Sequence, residues 1–188
     1  MLEITQATMP DAPAITALAN RLAITTLSSA DLGNGFLVSA YGQEEYEYWI
    51  PRTPYFLLAR YSGVLVGFIL AYPYTDVVPE DRFNREARAV FLADLPDTTL
   101  VLTKQAAVAP EARRHGVARS LYQNIYAILH SGATMFGAIV EEPRNPASES
   151  FHIALGWKRL GSLANPDGRP RGIWARFSHP SNSNAPRS

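Results

Sequence analysis

The hydrophobic pattern of this chain keeps switching between an alternating period and one of about 3.6 residues, with glycine or proline at the switches, and that alternation constrains its fold most. Leu2 to Ala7 alternates and predicts a strand, ended by Met9-Pro10-Asp11. Ile15, Leu18, Ala19 and Leu22 recur at helical spacing, and Pro10 or Pro13 suits a first helical turn, where its missing N–H costs little. Ser28 to Gly42 is rich in Ser and Gly and predicts a loop, and Gln43 to Ile50 a short aromatic helix stopped by Pro51 and Pro54. Tyr55 to Tyr61 and Val64 to Tyr72 flank Ser62-Gly63 and predict a hairpin. Residues 75–99 are the least patterned, with helical character over Arg82 to Asp94.

Leu100 to Val108 predicts the next strand. A helix over Val117 to Leu129 follows, with Ala118, Leu121, Ile125, Ile128 and Leu129 on its apolar face. Thr134 to Val140 is a strand, Asn145 a cap for a helix to Leu155, and Gly156 its C-terminal turn. Trp157 to Leu163 and Gly172 to Phe177 form a last hairpin around Asn165-Pro166-Asp167-Gly168. This order predicts a mixed α/β sheet with helices on its faces, in a single domain over 1–177. Ser178 to Ser188 is Ser-, Asn- and Pro-rich and predicts a disordered tail.

Composition removes several function classes. Seventeen basic and 17 acidic residues leave no charge excess for nucleic acid. The longest apolar run, Val64 to Ala71, is far short of the ~20 residues of a membrane helix. The absence of cysteine rules out thiolate catalysis and thiolate metal sites, and His115, His130, His152 and His179 show no ligand-like spacing, so no metal is expected. Met1-Leu2-Glu3-Ile4 enters directly into a strand pattern, which predicts no signal peptide and a cytoplasmic location. Exposed edges of a mixed sheet leave room for a homodimer.

The chemistry concentrates in Ala106-Ala107-Val108-Ala109-Pro110-Glu111-Ala112-Arg113-Arg114-His115-Gly116-Val117-Ala118. A strand ends at Pro110, a basic loop follows, and a helix begins near Gly116, where unpaired N–H groups and the helix dipole attract phosphate. Gly116 and Ala118 allow close approach, Arg113, Arg114 and His115 add charge, and the edge of Ala106 to Val108 could pair with an extended ligand. Spacing alone fits an ordinary strand-to-helix turn equally well. No Gly-Lys-Ser/Thr follows, which argues against a P-loop, and with only one glycine a dinucleotide fingerprint fails.

Val108-x-Pro110-x-x-Arg113-x-x-Gly116-Val117-Ala118 resembles the acyl-CoA signature of the GNAT acetyltransferase superfamily. The resemblance departs at Arg114, where glycine is common, and ends in Ala118, which the family tolerates. Asn145-x-x-Ser148-x-x-Phe151-His152-x-x-Leu155-Gly156-Trp157 resembles the family's downstream helix, and Val64-x-x-Gly67-Phe68-Ile69 its hairpin strand. The resemblance covers residues 1–177 and implies a mostly antiparallel mixed sheet with splayed central strands and helices on both faces. It implies that Arg113, Arg114, His115, Gly116, Val117 and Ala118 hold the CoA pyrophosphate, and that Ala106, Ala107 and Val108 pair with pantetheine. Asn145 and Ser148 would contact the same arm, and acetyl-CoA would be the acyl donor.

The implied reaction is direct acetyl transfer to a primary amine on a small molecule or peptide. His152 stands where many members carry a tyrosine that protonates the CoA thiolate; a partly buried histidine hydrogen-bonded across its helix fits equally. Lys104 and Gln105 occupy the strand on which members often place a carboxylate base, leaving Glu141 or Glu142 as a candidate base or a solvated loop end. Phe36, Tyr46, Trp49, Tyr72 and Tyr74 are candidates to line the acceptor pocket, and Arg169 and Arg171 to bind an acidic acceptor. The missing carboxylate leaves open a catalytically weak CoA-binding module of the same fold. An unrelated α/β binding protein would not bind CoA at all.

Overall fold

The computed structural model describes residues 1–28, 31–38 and 40–178. The tail expected from Ser178 onward lies outside them except for Ser178 itself, as do Ser29, Ala30 and Ser39 of the Ser/Gly-rich loop. Seven strands, β1 (Leu2–Gln6), β2 (Phe56–Tyr61), β3 (Val64–Pro73), β4 (Leu100–Val108), β5 (Thr134–Val140), β6 (Lys158–Leu163) and β7 (Arg171–Phe177), form one sheet. Its order is β1-β2-β3-β4-β5-β7-β6. Among the described residues five α-helices accompany it: α1 (Ala12–Arg21), α2 (Gln43–Trp49), α3 (Arg82–Phe91), α4 (Val117–Ile128) and α5 (Pro146–Ala154).

Most elements lie within a few residues of their expected spans. The hairpin between β2 and β3 turns at Ser62 and Gly63, both left-handed at φ 48° and 81°, as a two-residue type I′ turn requires. Every adjacent strand pair is antiparallel except β4–β5, which is parallel because α4 carries the chain back between them. Seven consecutive residues of β3, Val66 to Tyr72, are buried, so both faces of the sheet are covered there. Tyr46 of α2 packs its ring 6.1 and 5.9 Å from Phe56 and Phe68, and Trp49 stacks on Tyr72 with centroids 3.8 Å apart. Burying each such ring contributes roughly 1.5–3 kcal/mol. These aromatics therefore belong to the core rather than to the acceptor pocket.

Two features of the central strands position the site. A Cβ at Gly67 would lie 2.9 Å from the Ala107 carbonyl oxygen and 3.1 Å from Val117 Cγ1, so only glycine lets the start of α4 settle onto β3 and β4. In β4 the register shifts at Lys104: Leu70 pairs with Gln105, but Ala71 pairs with Thr103. This bulge bends the strand and increases its twist. On the other side of β4, pairing with β5 ends at the same level, at Thr103 with Gly137. Beyond that point the two strands separate.

Candidate active site

Two clefts meet at this separation. The first, of about 640 Å³, is lined by Ala106, Ala107 and Val108 of β4, the Arg113 to Arg119 turn except His115, Asn145, Ser148 and His152 of α5, and the Gly33 to Leu37 loop. The second, of about 510 Å³, is lined by Lys104, Ala106, Ala138 to Val140, Asp81, Asn84, Asp167, Arg171 and Trp174 among others. Both touch Phe36, Leu37, Ala106, Tyr122, Asn145, Ser148 and His152, which form a shared wall. Among the described residues, the β4 edge from Lys104 to Val108 has no strand partner on its β5 side.

The basic turn is shaped by two left-handed residues, Arg114 at φ 64° and Gly116 at φ 78°. Gly116 is the N-cap of α4, and the first helical bond runs from the Ser120 amide to its carbonyl at 2.9 Å. The amides of Val117 to Arg119 therefore have no intrahelical acceptor and sit at the positive end of the helix dipole. The left-handed φ accounts for a preference for glycine at position 114, where a side chain costs about 1–2 kcal/mol.

Not every residue expected to hold the pyrophosphate is free to do so with its side chain. Arg113 Nε donates to the Val108 carbonyl at 3.3 Å, and its Nη2 donates to Gly35 O at 3.1 Å. It thus braces the end of β4 against the Gly33 to Leu37 loop. His115 is exposed and lines neither cleft. Asn145 Oδ1 caps α5 by accepting from the Ser148 amide at 3.2 Å, while its Nδ2 donates to Phe36 O at 3.4 Å. The same loop is therefore held from two sides.

His152 sits at the junction, its ring packed edge-on to Tyr122, Phe151 and Trp157 at centroid distances of 5.5, 5.5 and 4.9 Å. Nδ1 lies 2.7 Å from Ser148 O, a pure acceptor, so Nδ1 carries the hydrogen. Nε2 lies 3.0 Å from the Tyr122 hydroxyl. Burial pushes the imidazole pKa down, more than the Ser148 bond pushes it up, so the ring is neutral at pH 7 and Nε2 accepts from Tyr122. Burial also raises the Tyr122 phenol and keeps it protonated.

Glu141 follows β5 but lines neither cleft. Its Oε1 accepts from Arg159 Nη2 at 2.7 Å and its Oε2 from Ser162 Oγ at 2.5 Å. Burial raises its pKa, but the bonds from Ser162 and Arg159 outweigh that and hold it below the usual range. It ties the end of β5 to β6 and is a weak base. Glu142 is exposed and likewise lines neither cleft. Of the five aromatics expected to line the acceptor pocket only Phe36 does, and of the two arginines only Arg171.

Tyr122 and the Lys104–Asp81 pair were not singled out from the sequence. Tyr122 reads as one more large residue beside Leu121 on an apolar helix face, and only its buried hydroxyl betrays a polar task. Lys104 Nζ donates to Asp81 Oδ2 at 3.0 Å across 23 residues of chain, a contact without a local signature. Among the described residues no group of His, Asp or Glu side chains could hold a metal ion, and no helix is long and apolar enough to cross a membrane.

The structure resembles several solved ones at low identity. Ard1 from Thermoplasma volcanium superposes with a TM-score of 0.67 at 16% identity, covering 95% of this chain and 98% of that one. Arabidopsis thaliana Naa50, in complex with the bisubstrate analogue CoA-Ac-MVNAL, gives 0.63 at 12% identity, with 93% and 97% covered. The GNAT-like decarboxylase GphF, in complex with isobutyryl-CoA, gives 0.63 at 20% identity, with 93% and 98% covered. Such identities establish a shared fold. No curated protein sequence matches the chain. The sequence model of the Acetyltransferase (GNAT) family matches residues 22–157, which include the central strands, the basic turn and α5. The chain therefore belongs to the GNAT acetyltransferase family.

Proposed function

We propose that this protein transfers an acetyl group from acetyl-CoA directly to a primary amine. The observation that carries this reading is the meeting of the two clefts at the separated strands, with one wall in common. The donor's pyrophosphate lies against the α4 N-terminus and the Arg113 to Ala118 turn, where unpaired amides and the charge of Arg114 favour it. Arg113 contributes its backbone and braces the turn. The pantetheine arm runs along Ala106, Ala107 and Val108 as an added strand, with Asn145 and Ser148 on its far side.

The amine enters from the second cleft and attacks the thioester carbonyl. An N–C bond forms, the C–S bond breaks, and a proton moves from nitrogen to sulfur. A neutral His152 has to receive a proton before it can give one. The Tyr122 hydroxyl, already donating to Nε2, accepts the amine proton as it passes its own to His152. The imidazolium formed returns a proton through Tyr122 to the thiolate. Ser148 O fixes the ring throughout by holding Nδ1–H. Glu141 has no part in this route.

Isothermal titration with acetyl-CoA tests the reading, run beside Gly116→Glu. The variant forces a side chain into a left-handed position and sets a negative charge beside the phosphates. Wild-type protein binds, and the variant loses on the order of 100-fold in affinity, or about 2.7 kcal/mol. A folded wild-type protein that does not bind acetyl-CoA removes the proposal.

A further inference from the structure

The second cleft carries a distinctive charge arrangement. Two cations, Lys104 and Arg171, line it, each paired with one aspartate, Asp81 and Asp167. Each carboxylate is held by more than one protein donor. Asp81 Oδ1 accepts from the Asn84 amide at 3.2 Å, and Oδ2 accepts from Asn84 Nδ2 at 2.8 Å and from Lys104. Asp167 Oδ1 accepts from the Arg169 amide at 2.9 Å and Oδ2 from Arg171 Nη2 at 2.5 Å.

The cations are not saturated. An ammonium has three donors and a guanidinium five. Asp81 and Tyr41 use part of the capacity of Lys104, whose side chain is 22% exposed. Asp167 and Arg169 O take Nη2 and Nη1 of Arg171. Beside Lys104, the Thr103 hydroxyl is buried with no partner. Lys104 and Arg171 thus keep donors beyond those their aspartates engage, and such donors suit an anionic group.

The strand supplies a ruler. Val108 lines only the first cleft, Ala106 both, and Lys104 only the second. At ~3.3 Å per residue, Lys104 stands about 7 Å along β4 from the level where the clefts join. A small molecule can span that distance with an amine at the junction and an anion at Lys104. A cleft of about 510 Å³ is of small-ligand size.

We infer that the acceptor is a small amine bearing a carboxylate, an amino-acid-type molecule whose carboxylate is received by Lys104 and Arg171 with Thr103. This rests on the acetyltransferase reading above and narrows its substrate class. A peptide N-terminus is the competing occupant, and it places an amide rather than a carboxylate at this distance.

The test measures free CoA thiol released from saturating acetyl-CoA with matched acceptors: α-, β- and γ-amino acids, their primary amides, the corresponding decarboxylated amines, and short C-terminally amidated peptides. At least one free amino acid exceeds its own amide by tenfold or more in kcat/KM. Lys104→Gln and Arg171→Gln each raise KM for that acid by tenfold or more and leave KM for the amide within twofold. Titration with acetyl-CoA shows that each variant still binds the donor and is therefore folded. Lys104→Arg, which keeps the charge, retains most of the preference. The inference is overturned if amides, simple amines or peptides are used as well as acids, if the preference survives both Gln variants, or if no carboxylate-bearing amine is acetylated. In that last case acetyl-CoA binding by the wild type, with turnover of any other amine, leaves the acetyltransferase reading standing.

Discussion

The two clefts are built by different means. The cleft proposed for the donor is lined largely by small residues from three stretches, the Gly33 to Leu37 loop, β4 into α4, and Asn145 to His152. The cleft proposed for the acceptor draws charged, aromatic and aliphatic side chains from β4, β5, β7, α3, α4, α5 and the loops between them. A donor common to a whole family can be held by main chain, which every sequence has. An acceptor has to be selected by side chains, and these converge only when the sheet is assembled. The difference predicts where substitutions act on affinity, on rate or on stability alone.

The sharpest way to break the division is at the shared wall. Tyr122→Phe keeps the ring and removes the hydroxyl between the clefts. Its kcat falls by about 100-fold, the lower end of the range for a lost acid–base group, while the acetyl-CoA dissociation constant stays within twofold by titration. An equal loss in both quantities would make Tyr122 a packing residue of the donor cleft only.

His152 gives a pH test that separates the proton route from mere structure. Its pKa is lowered in the folded protein, so below about pH 6.5 the unfolded chain binds more protons than the folded one. The stability it contributes is complete above the unfolded value and is lost as pH falls through the window between the two, with a slope of at most about 1.4 kcal/mol per pH unit. The lowered carboxylates Asp11, Asp81, Glu141 and Asp167 lose theirs below their own unfolded values, at more acidic pH. His152→Gln flattens denaturation midpoints in the window just below about pH 6.5 and leaves the more acidic limb in place. An unchanged profile would show that His152 titrates normally and is not held neutral.

The smallest effect is expected in the basic turn. Arg114→Gly relieves the left-handed strain and raises stability by roughly 0.5–1 kcal/mol, read from denaturant midpoints. It removes one charge beside the pyrophosphate, so acetyl-CoA affinity falls less than about tenfold, and less still at high salt. A loss as large as that of Gly116→Glu would make donor binding depend on side chains rather than on main chain.

Much of this was legible in the sequence because it is local. The strand Thr134 to Val140 and the cap at Asn145 follow from hydrophobic period and side-chain chemistry, and each lies at its expected residue. The turn from Pro110 to Ala118 is contiguous, so its motif could be read directly. The five aromatics expected in the acceptor pocket were harder, because an aromatic that fills a core and one that lines a cleft look alike in one dimension. Tyr46, Trp49, Tyr72 and Tyr74 went to the core. Arg113 carried a signal for charge but none for the two carbonyls that engage it, one of them 78 residues away.

The order of strands and helices and the basic turn that opens α4 could be read from the sequence, because each depends on neighbours within a turn or two of chain. The tertiary structure alone decided that β4 bulges at Lys104 and parts from β5, that Glu141 is spent on Arg159 and Ser162, and that Tyr122 meets His152. Those outcomes depend on register and on charge partners brought together from distant positions, and their energies exist only once the sheet has closed around them.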